Sequence, residues 1–282
     1  MKLKSYGKIN LSLEVLNKRD DGYHNIDTIM QFVDIYDELT IDTSPGSDLE
    51  IHCNIEDFPR GKDNLIYIAW NKLKDLYKDN PGIVVKVEKN LPMAAGMGGG
   101  SSNCACMMQG LNSLWNLKLT KEELQRIGSE IGSDIPFFFE EDTLRAKQKG
   151  FDFERFNSLE GLPIVIVNNG CKISTPYVYS KVPLTKEPKM DALVKALNRG
   201  EIHRDLFFNS MTKVSTTLCP EIAQIIDKLY SLGSKVALMS GSGATVFGIF
   251  DNADMAKVAF DTLKDRYKYV YNTKTIRRSY EG

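Results

Sequence analysis

The chain has no apolar run long enough to cross a bilayer, which argues against a helical membrane protein. Its net charge is almost nil, formally -1 with 36 Lys and Arg against 37 Asp and Glu. Overall electrostatics therefore give no argument for nucleic acid or for an anionic lipid surface. The five cysteines, Cys53, Cys104, Cys106, Cys171 and Cys219, are odd in number and scattered, which speaks against a disulfide framework and suits reduced thiols. Cys104-x-Cys106 has no second cysteine or histidine pair nearby, so no metal site is expected there. On a helix the two would not share a face, and packing is their default role. No signal or transit peptide precedes the first strand-like run, which sets the expectation of a cytoplasmic protein. Internal repeats and low-complexity segments are missing as well.

What is present is a chain of 282 residues, 42% hydrophobic, enough for one large or two modest domains. It is organised around residues 91–103, LPMAAGMGGGSSN, with four glycines and two serines in a short run. A valine-rich segment (residues 83–87) precedes it and an apolar, helix-like segment (residues 104–115) follows, so the order reads strand, glycine loop, helix. Glycines allow sharp turns and close approach of a ligand to the backbone. The first amides of the following helix lack intrahelical acceptors and sit at the positive end of its dipole. Together these make a phosphate cradle. No lysine follows the glycines as a Walker loop requires, and Ser101 stands where a dinucleotide fingerprint has its third glycine. A glycine-rich surface turn is the plainer alternative. Ser101, Ser102 and Asn103 are all good helix N-caps or phosphate donors.

Elsewhere the pattern alternates between strands and helices. Residues 3–15 read as a strand from whose one face Lys8, Asn10 and Ser12 project, by spacing alone an ordinary solvated face. A turn at residues 17–22 leads to Tyr23-His24, a pair that can stack on and hydrogen-bond a base or simply plug a loop end. Residues 29–41, 49–53 and 83–87 read as strands, and residues 64–76 as a helix. Thr120 to Glu123 form a capping box that opens another helix. Asp134, ahead of Pro136, reads best as a helix cap, with Phe137 to Phe139 in the core. Residues 140–149 are charged and suit an exposed strand or hairpin. A buried strand (162–168), a loop (175–179) turning toward a helix, a lysine-rich surface loop (181–189) and helices at 191–197 and 221–232 follow. Residues 237–250 read as strand, glycine turn, strand, for which a plain hairpin suffices. A helix (254–263) and a strand (270–276) close the chain. The second half suggests a separate α+β domain.

Each signal is modest, but their order is specific. Lys8-Ile9-Asn10-Leu11, Gly22-Tyr23-His24, the glycine loop, Gly132-Ser133-Asp134-Ile135-Pro136-Phe137, Thr175-Pro176 and Ser240-Gly241-Ser242-Gly243-Ala244 occur in series. Over nearly its whole length the chain resembles the superfamily of galactokinase, homoserine kinase, mevalonate kinase and phosphomevalonate kinase. Within it, the Lys8–Asn10 strand and Gly22-Tyr23-His24 are most similar to the family acting on 4-diphosphocytidyl-2-C-methyl-D-erythritol in non-mevalonate isoprenoid synthesis.

The resemblance implies an α+β fold of two domains, residues 1–153 similar to ribosomal protein S5 and residues 154–282 ferredoxin-like, with ATP and substrate between them. It implies transfer of the ATP γ-phosphoryl group to the substrate's 2-hydroxyl, with Mg²⁺ accompanying ATP, by a monomer or homodimer without nucleic-acid or membrane partners. Asp134 matches the catalytic aspartate and Lys8 the lysine beside it. Pro92, Ala95, Gly96, Met97, Gly98, Gly99, Gly100, Ser101 and Ser102 match the phosphate loop, and Gly241, Ser242 and Gly243 a second loop that closes on the phosphates. Asn10 and His24 match residues reading the cytosine edge, Tyr23 and Tyr179 aromatics on either face of that ring, and Thr175 and Pro176 the wall of the erythritol pocket. One stretch departs from the family. Where relatives carry a glycine-containing hairpin, residues 140–151 are larger and charged, which suggests a remodelled acceptor pocket. A kinase with another acceptor, and a non-catalytic nucleotide-binding member, are the competing readings.

Overall fold

The computed structural model describes residues 1–77, 81–148, 150 and 152–278. Two long antiparallel strands, β1 (Lys2–Lys18) and β2 (His24–Ser44), form its backbone. Strand β3 (Leu49–Cys53) and helix α1 (Leu65–Leu73) follow, with the Asn64 side chain capping α1 by accepting from the Ile66 amide. Strand β4 (Gly82–Glu88) runs parallel to β3, which the crossover through α1 requires. Helices α2 (Gly99–Leu114) and α3 (Lys121–Ile131) come next, α3 opened by the Thr120/Glu123 capping box that its sequence announces. Strands β5 (Leu144–Gln148) and β6 (Asp152–Arg155) complete a six-stranded sheet of order β3-β4-β2-β5-β6, with β1 along β2.

The chain leaves the first sheet after Arg155 and enters the second with β7 (Pro163–Asn168). Four helices follow: α4 (Thr175–Lys181), α5 (Met190–Leu197), α6 (Thr212–Leu218) and α7 (Glu221–Ser231). Strands β8 (Val236–Met239) and β9 (Val246–Ile249), helix α8 (Ala253–Leu263) and strand β10 (Tyr269–Lys274) close a four-stranded antiparallel sheet of order β10-β7-β9-β8. Numbered within this half, the order is 4-1-3-2, the ferredoxin-like arrangement. The fold is α+β throughout.

Two sequence expectations need correction here, and one helix, α6, lies where none was expected. Residues 175–179 are the first turns of α4 rather than a loop, because Ser174 caps the helix and Pro176 occupies its first turn, where a missing N–H costs nothing. Helix α6 has no apolar stripe in its sequence, TKVSTTL, and only Ser215 is buried on it. Residues 144–146 are buried, not exposed, because β5 lies between β2 and β6. Lys149 and Phe151 of that charged stretch lie outside the described residues.

The two halves share strand β1. Its far end buries Leu13 and Val15 among the apolar residues of α4, α7 and the second sheet. Backbone bonds fasten it there, from the Leu13 amide to the Phe208 carbonyl at 2.8 Å and from the Ser210 amide back to the Leu13 carbonyl at 3.0 Å. Consequently Lys8, Asn10 and Ser12 are not on a wet face; all three are buried, Asn10 and Ser12 against the second half and Lys8 beneath the glycine stretch at Met97 and Gly98. Helix α2 is buried on nearly every side, which is how Cys104 and Cys106 are both interior despite pointing apart. Burial pushes the Cys106 thiol up to about 12 and the Cys104 thiol higher, so neither supplies a thiolate.

Candidate active site

The glycine stretch forms the floor of a cleft between the halves. Gly98 takes φ 68°, a left-handed conformation that glycine adopts without strain, and it caps α2 without any side-chain bond. The helix therefore starts inside the glycine run, and Ser101, Ser102 and Asn103 lie in its first turns rather than capping it. Ser102 turns inward, donating to the Tyr6 carbonyl at 2.7 Å and accepting from the Ser5 hydroxyl at 2.7 Å. Asn103 donates to Asp37 at 2.9 Å. The first-turn amides, at Gly99, Gly100 and Ser101, have no intrahelical acceptors and open on a cavity of about 470 Å³.

Asp37 holds the root of this loop. Its carboxylate accepts from Lys89 Nζ at 2.5 Å and from the amides of Asn90 and Leu91, each at 2.8 Å. A second loop meets the first from the other half. The Ser240 hydroxyl donates to the Gly96 carbonyl at 2.9 Å and accepts from the Asn10 amide at 3.0 Å. Gly96 has φ 79°, and a Cβ there would overlap the Ser240 carbonyl oxygen. Thr175 at the start of α4 shares a 2.7 Å hydrogen bond with the Ser242 hydroxyl, tying that loop to the acceptor side.

Lys8 and Asp134 meet at the centre, Nζ to Oδ2 at 3.2 Å. The lysine is buried, while the aspartate side chain is 37% exposed. Asp134 precedes the 3-10 turn Ile135–Phe139 but makes no capping bond, so the expectation that it serves as a cap fails. Its αR backbone directs the carboxylate away from the turn and toward Lys8. Lys8 also donates to Asn10 Oδ1 at 2.7 Å.

Beyond Asp134 a second cavity of about 780 Å³ opens. His24 and Tyr179 stack here, with ring centroids 5.3 Å apart and planes 23° from parallel. Tyr23 stands exposed at the rim, and Gly22, Pro176 and Leu184 line the same space. Burial, and secondarily the charge of Lys18, lowers the His24 pKa, so the imidazole is neutral at neutral pH. Burial raises the Tyr179 phenol, with the nearby Asp134 carboxylate adding to the effect, so it remains protonated. The two cavities share Ile26, Ser133, Asp134, Thr175 and Tyr179.

Most of the residues singled out in the sequence converge here. Lys8, Asn10, Asp134, Gly241 and Ser242 line the smaller cavity, together with Ala95, Gly96 and residues 98–101. Tyr23, His24 and Pro176 line the larger one, and Thr175 and Tyr179 line both. Four do not reach the cleft. Pro92 and Met97 are buried, Met97 against the core of the second sheet. Ser102 is committed to Tyr6, and Gly243 faces Met239 and Ile173. Asn10 lies at the phosphate end, away from the His24 pair, with both ends of its amide bonded to protein. Sequence reasoning gave no site role to Ser133 and Ser240, although both stand in the motif series, nor to Lys18 or the alternating Ile26, Thr28 and Met30 of β2. Of the residues outside the motifs, only the β2 set carried a signal, its period of two. No described residue of the divergent stretch, 140–148 and 150, lines either cavity. Its charges are spent on ion pairs instead, Glu140 with Lys121 and Arg155, and Arg145 with Asp27 and Asp191.

Two family models match this architecture, GHMP kinases N terminal domain over residues 64–141 and GHMP kinases C terminal over residues 190–268. The chain is 40% identical to the 4-diphosphocytidyl-2-C-methyl-D-erythritol kinase of Finegoldia magna, over 98% of this chain and 100% of the relative. It belongs to the GHMP kinase family. It is 37% identical to the enzyme of the same name from Thermoanaerobacter pseudethanolicus, over 100% of this chain and 98% of the relative. The crystal structure of a 4-(cytidine 5'-diphospho)-2C-methyl-D-erythritol kinase superposes with a TM-score of 0.83 at 27% identity, covering 98% of this chain and 99% of that one. Within the GHMP kinases the chain is thus a member of the 4-diphosphocytidyl-2-C-methyl-D-erythritol kinases, and an enzyme. ATP is the phosphate donor that the family implies. No helix of the described residues is long and apolar enough to cross a membrane.

Proposed function

We propose that this cleft transfers the γ-phosphoryl group of ATP to the 2-hydroxyl of 4-diphosphocytidyl-2-C-methyl-D-erythritol. The observation that carries this reading is the Lys8–Asp134 pair, 3.2 Å apart where the glycine-floored cavity meets the His24–Tyr179 cavity. One side offers helix-terminal amides suited to phosphates, and the other offers aromatic rings and a neutral imidazole suited to a pyrimidine.

In the step itself the acceptor hydroxyl oxygen bonds to the γ-phosphorus as the bond to the bridging oxygen of ADP breaks. Asp134 accepts the hydroxyl proton. Lys8 pairs with that carboxylate at 3.2 Å and offsets negative charge on the phosphoryl oxygens. The transition state is loose, so most of the acceleration comes from positioning and fixed dipoles, which a buried lysine and a rigid glycine loop supply. Asn10 holds Lys8 in this account instead of reading the base. His24 and Tyr179 bind the cytosine ring, with Tyr23 closing over the rim, and Thr175 and Pro176 line the erythritol end.

Mg²⁺ accompanies ATP on this reading. Among the described residues no three His, Cys, Asp or Glu side chains cluster as a metal cage. An ion carried on the phosphates would keep most of its waters and take one or two protein oxygens. The Ser101 hydroxyl and the Asp134 carboxylate would be among the donors there, in a cavity that Ser133, Thr175 and Ser242 also line. Bound there, the ion would neutralise phosphate charge. The domain division we propose is 1–153 and 154–282, and the enzyme works in the cytoplasm as a monomer or homodimer.

The test is ADP release with Mg-ATP and each of four acceptors: the cytidyl compound, mevalonate, homoserine and galactose. Turnover confined to the cytidyl compound is expected. Equal turnover with another acceptor would move the assignment to that substrate.

A further inference from the structure

Thr28 lies on β2 between Ile26 and Met30, two residues along from each, on the strand face that lines the phosphate cavity. It is fully buried and touches neither Lys8 nor Asp134 through any hydrogen bond of its hydroxyl. That hydroxyl sits 2.7 Å from the carbonyl oxygen of Ser12. A carbonyl only accepts, so Thr28 must donate its single proton there. Only lone pairs remain to face Asn10, whose Nδ2 is 2.9 Å away. Lone pairs attract an amide NH₂ and repel an amide carbonyl. Asn10 is thereby held with its NH₂ toward Thr28 and its Oδ1 toward Lys8 Nζ, at 2.7 Å.

The alternative orientation is unfavourable at both ends. A flipped Asn10 would set its carbonyl against the Thr28 lone pairs and its NH₂ against the lysine ammonium, donor against donor. The site is nearly dry, since Asn10 and Lys8 are each 3% exposed, so no water would relieve either clash. Without Thr28 the amide has no such constraint, and the long Lys8 side chain keeps Asp134 as its one charged anchor.

We propose that Thr28 is a positioning residue for phosphoryl transfer. By fixing the orientation of the Asn10 amide, it aims Lys8 at Asp134 and at the transferring group. The proposal rests on the reading of Lys8 and Asp134 as the catalytic pair.

The experiment is steady-state ADP release by the full chain, with both substrates varied. Three variants are compared: Thr28→Val, nearly isosteric without the hydroxyl; Thr28→Ala, which lacks it with no steric demand; and Thr28→Ser, which keeps it. The two hydroxyl-free variants are expected to lose kcat by about 10- to 100-fold, the scale of a misplaced general acid-base group, with both KM values within about twofold. Thr28→Ser is expected to restore most of the rate. In an Asn10→Ala background, Thr28→Val is expected to cost nothing more, because its effect passes through Asn10. If Thr28→Val fails to fold, Thr28→Ala decides. Wild-type kcat in a folded hydroxyl-free variant would overturn the proposal, as would an undiminished loss on top of Asn10→Ala. Asp134→Asn in the same assay separates the two levels. If it is inactive while Thr28→Ala is normal, only the role of Thr28 is wrong; if it turns over normally, the catalytic reading beneath it fails.

Discussion

Asp37 and Lys89 face each other across 2.5 Å with both side chains buried, and this one contact joins three elements that carry the site. Asp37 belongs to β2, Lys89 follows β4, and the same carboxylate reaches the amides of Asn90 and Leu91 and the side chain of Asn103 on α2. The glycine loop begins where those bonds end. Buried ion pairs are poor stabilisers compared with a well-packed apolar substitute, but breaking one leaves an uncompensated charge. Asp37→Ala strands the Lys89 ammonium and removes acceptors from two backbone amides. The expected loss is about 3–5 kcal/mol, on the scale of other broken buried pairs, read as a lower urea midpoint with unchanged m-value. A loss below about 1 kcal/mol would mean that water replaces the carboxylate freely, as at exposed pairs.

Gly96 tests how closely the two halves must approach. Its φ of 79° disfavours any side chain, and a Cβ would overlap the Ser240 carbonyl oxygen, a backbone atom that cannot rotate aside. Gly161, with φ 86°, has nothing within 4 Å of the same position. Gly161→Ala is therefore expected to cost only the left-handed strain, about 1–2 kcal/mol, with normal kinetics. Gly96→Ala should push the Ser240 loop off the phosphate loop, raise KM for ATP and lower kcat about tenfold or more, because small displacements of positioning groups are costly. Parallel thermal melts and kinetics separate strain from displacement. Equal behaviour of the two variants would show that the contact between the loops is dispensable.

These examples show what the sequence could and could not reveal. The capping box at Thr120 was legible because it rests on bonds between near neighbours in the chain, whereas the helix read at 64–76 ends as α1 at Leu73. The glycine loop was legible for the same reason. Lys8, Asn10 and Ser12 looked like a wet strand face because what buries them is remote in the chain: residues 208 and 240 for Ser12 and Asn10, and the glycine stretch at Met97 and Gly98 for Lys8. Asp134 looked like a cap because a cap is a local motif, whereas its partner Lys8 is remote. Helix α6 gave no pattern because it packs through Ser215 and the half-buried Val214 rather than through an apolar stripe. The divergent residues 140–151 suggested a change to the acceptor pocket because relatives carry a glycine-containing hairpin there, and those of them that are described, 140–148 and 150, line neither cavity. The fold turns them instead into β5 and its ion pairs, off the cleft.

Asp134 is the residue whose removal bears most directly on the chemistry. Asp134→Asn keeps the shape and a hydrogen-bond acceptor for Lys8 but removes the proton acceptor. The expected result is a kcat lower by about 10²–10⁴, the usual range for a general base, with ATP affinity unchanged within about threefold. Binding is measured by calorimetry with a non-hydrolysable ATP analogue, and turnover by ADP release. Asp134 makes no capping bond, so the turn after it should hold, while the buried Lys8 loses its charged partner and some stability with it, which a parallel urea melt reads. Retention of more than about a tenth of the wild-type rate would indicate that positioning alone drives the transfer, as a loose transition state permits.

His24 gives the pH dependence a sign. Burial, then the charge of Lys18, lowers its pKa from the ordinary value of 6.5. The neutral ring is the form that stacks on Tyr179 and presents one donor and one acceptor to a base edge. As pH falls, an unfolded chain takes up this proton before the folded one does. The unfolded state then binds more protons, so stability from this group is full above the ordinary histidine range and declines below it, through the folded value. Acceptor binding follows the same direction. KM for the cytidyl substrate should rise on the acid side while KM for ATP stays flat. Lys18→Gln removes one of the two causes and should move the inflection toward higher pH. His24→Gln should abolish it while leaving an elevated, pH-independent KM. Chemical-shift titration of the His24 ring follows the group directly. A midpoint above 6.5 would contradict the burial seen here, and an acid rise in both KM values together would assign the titration to another group.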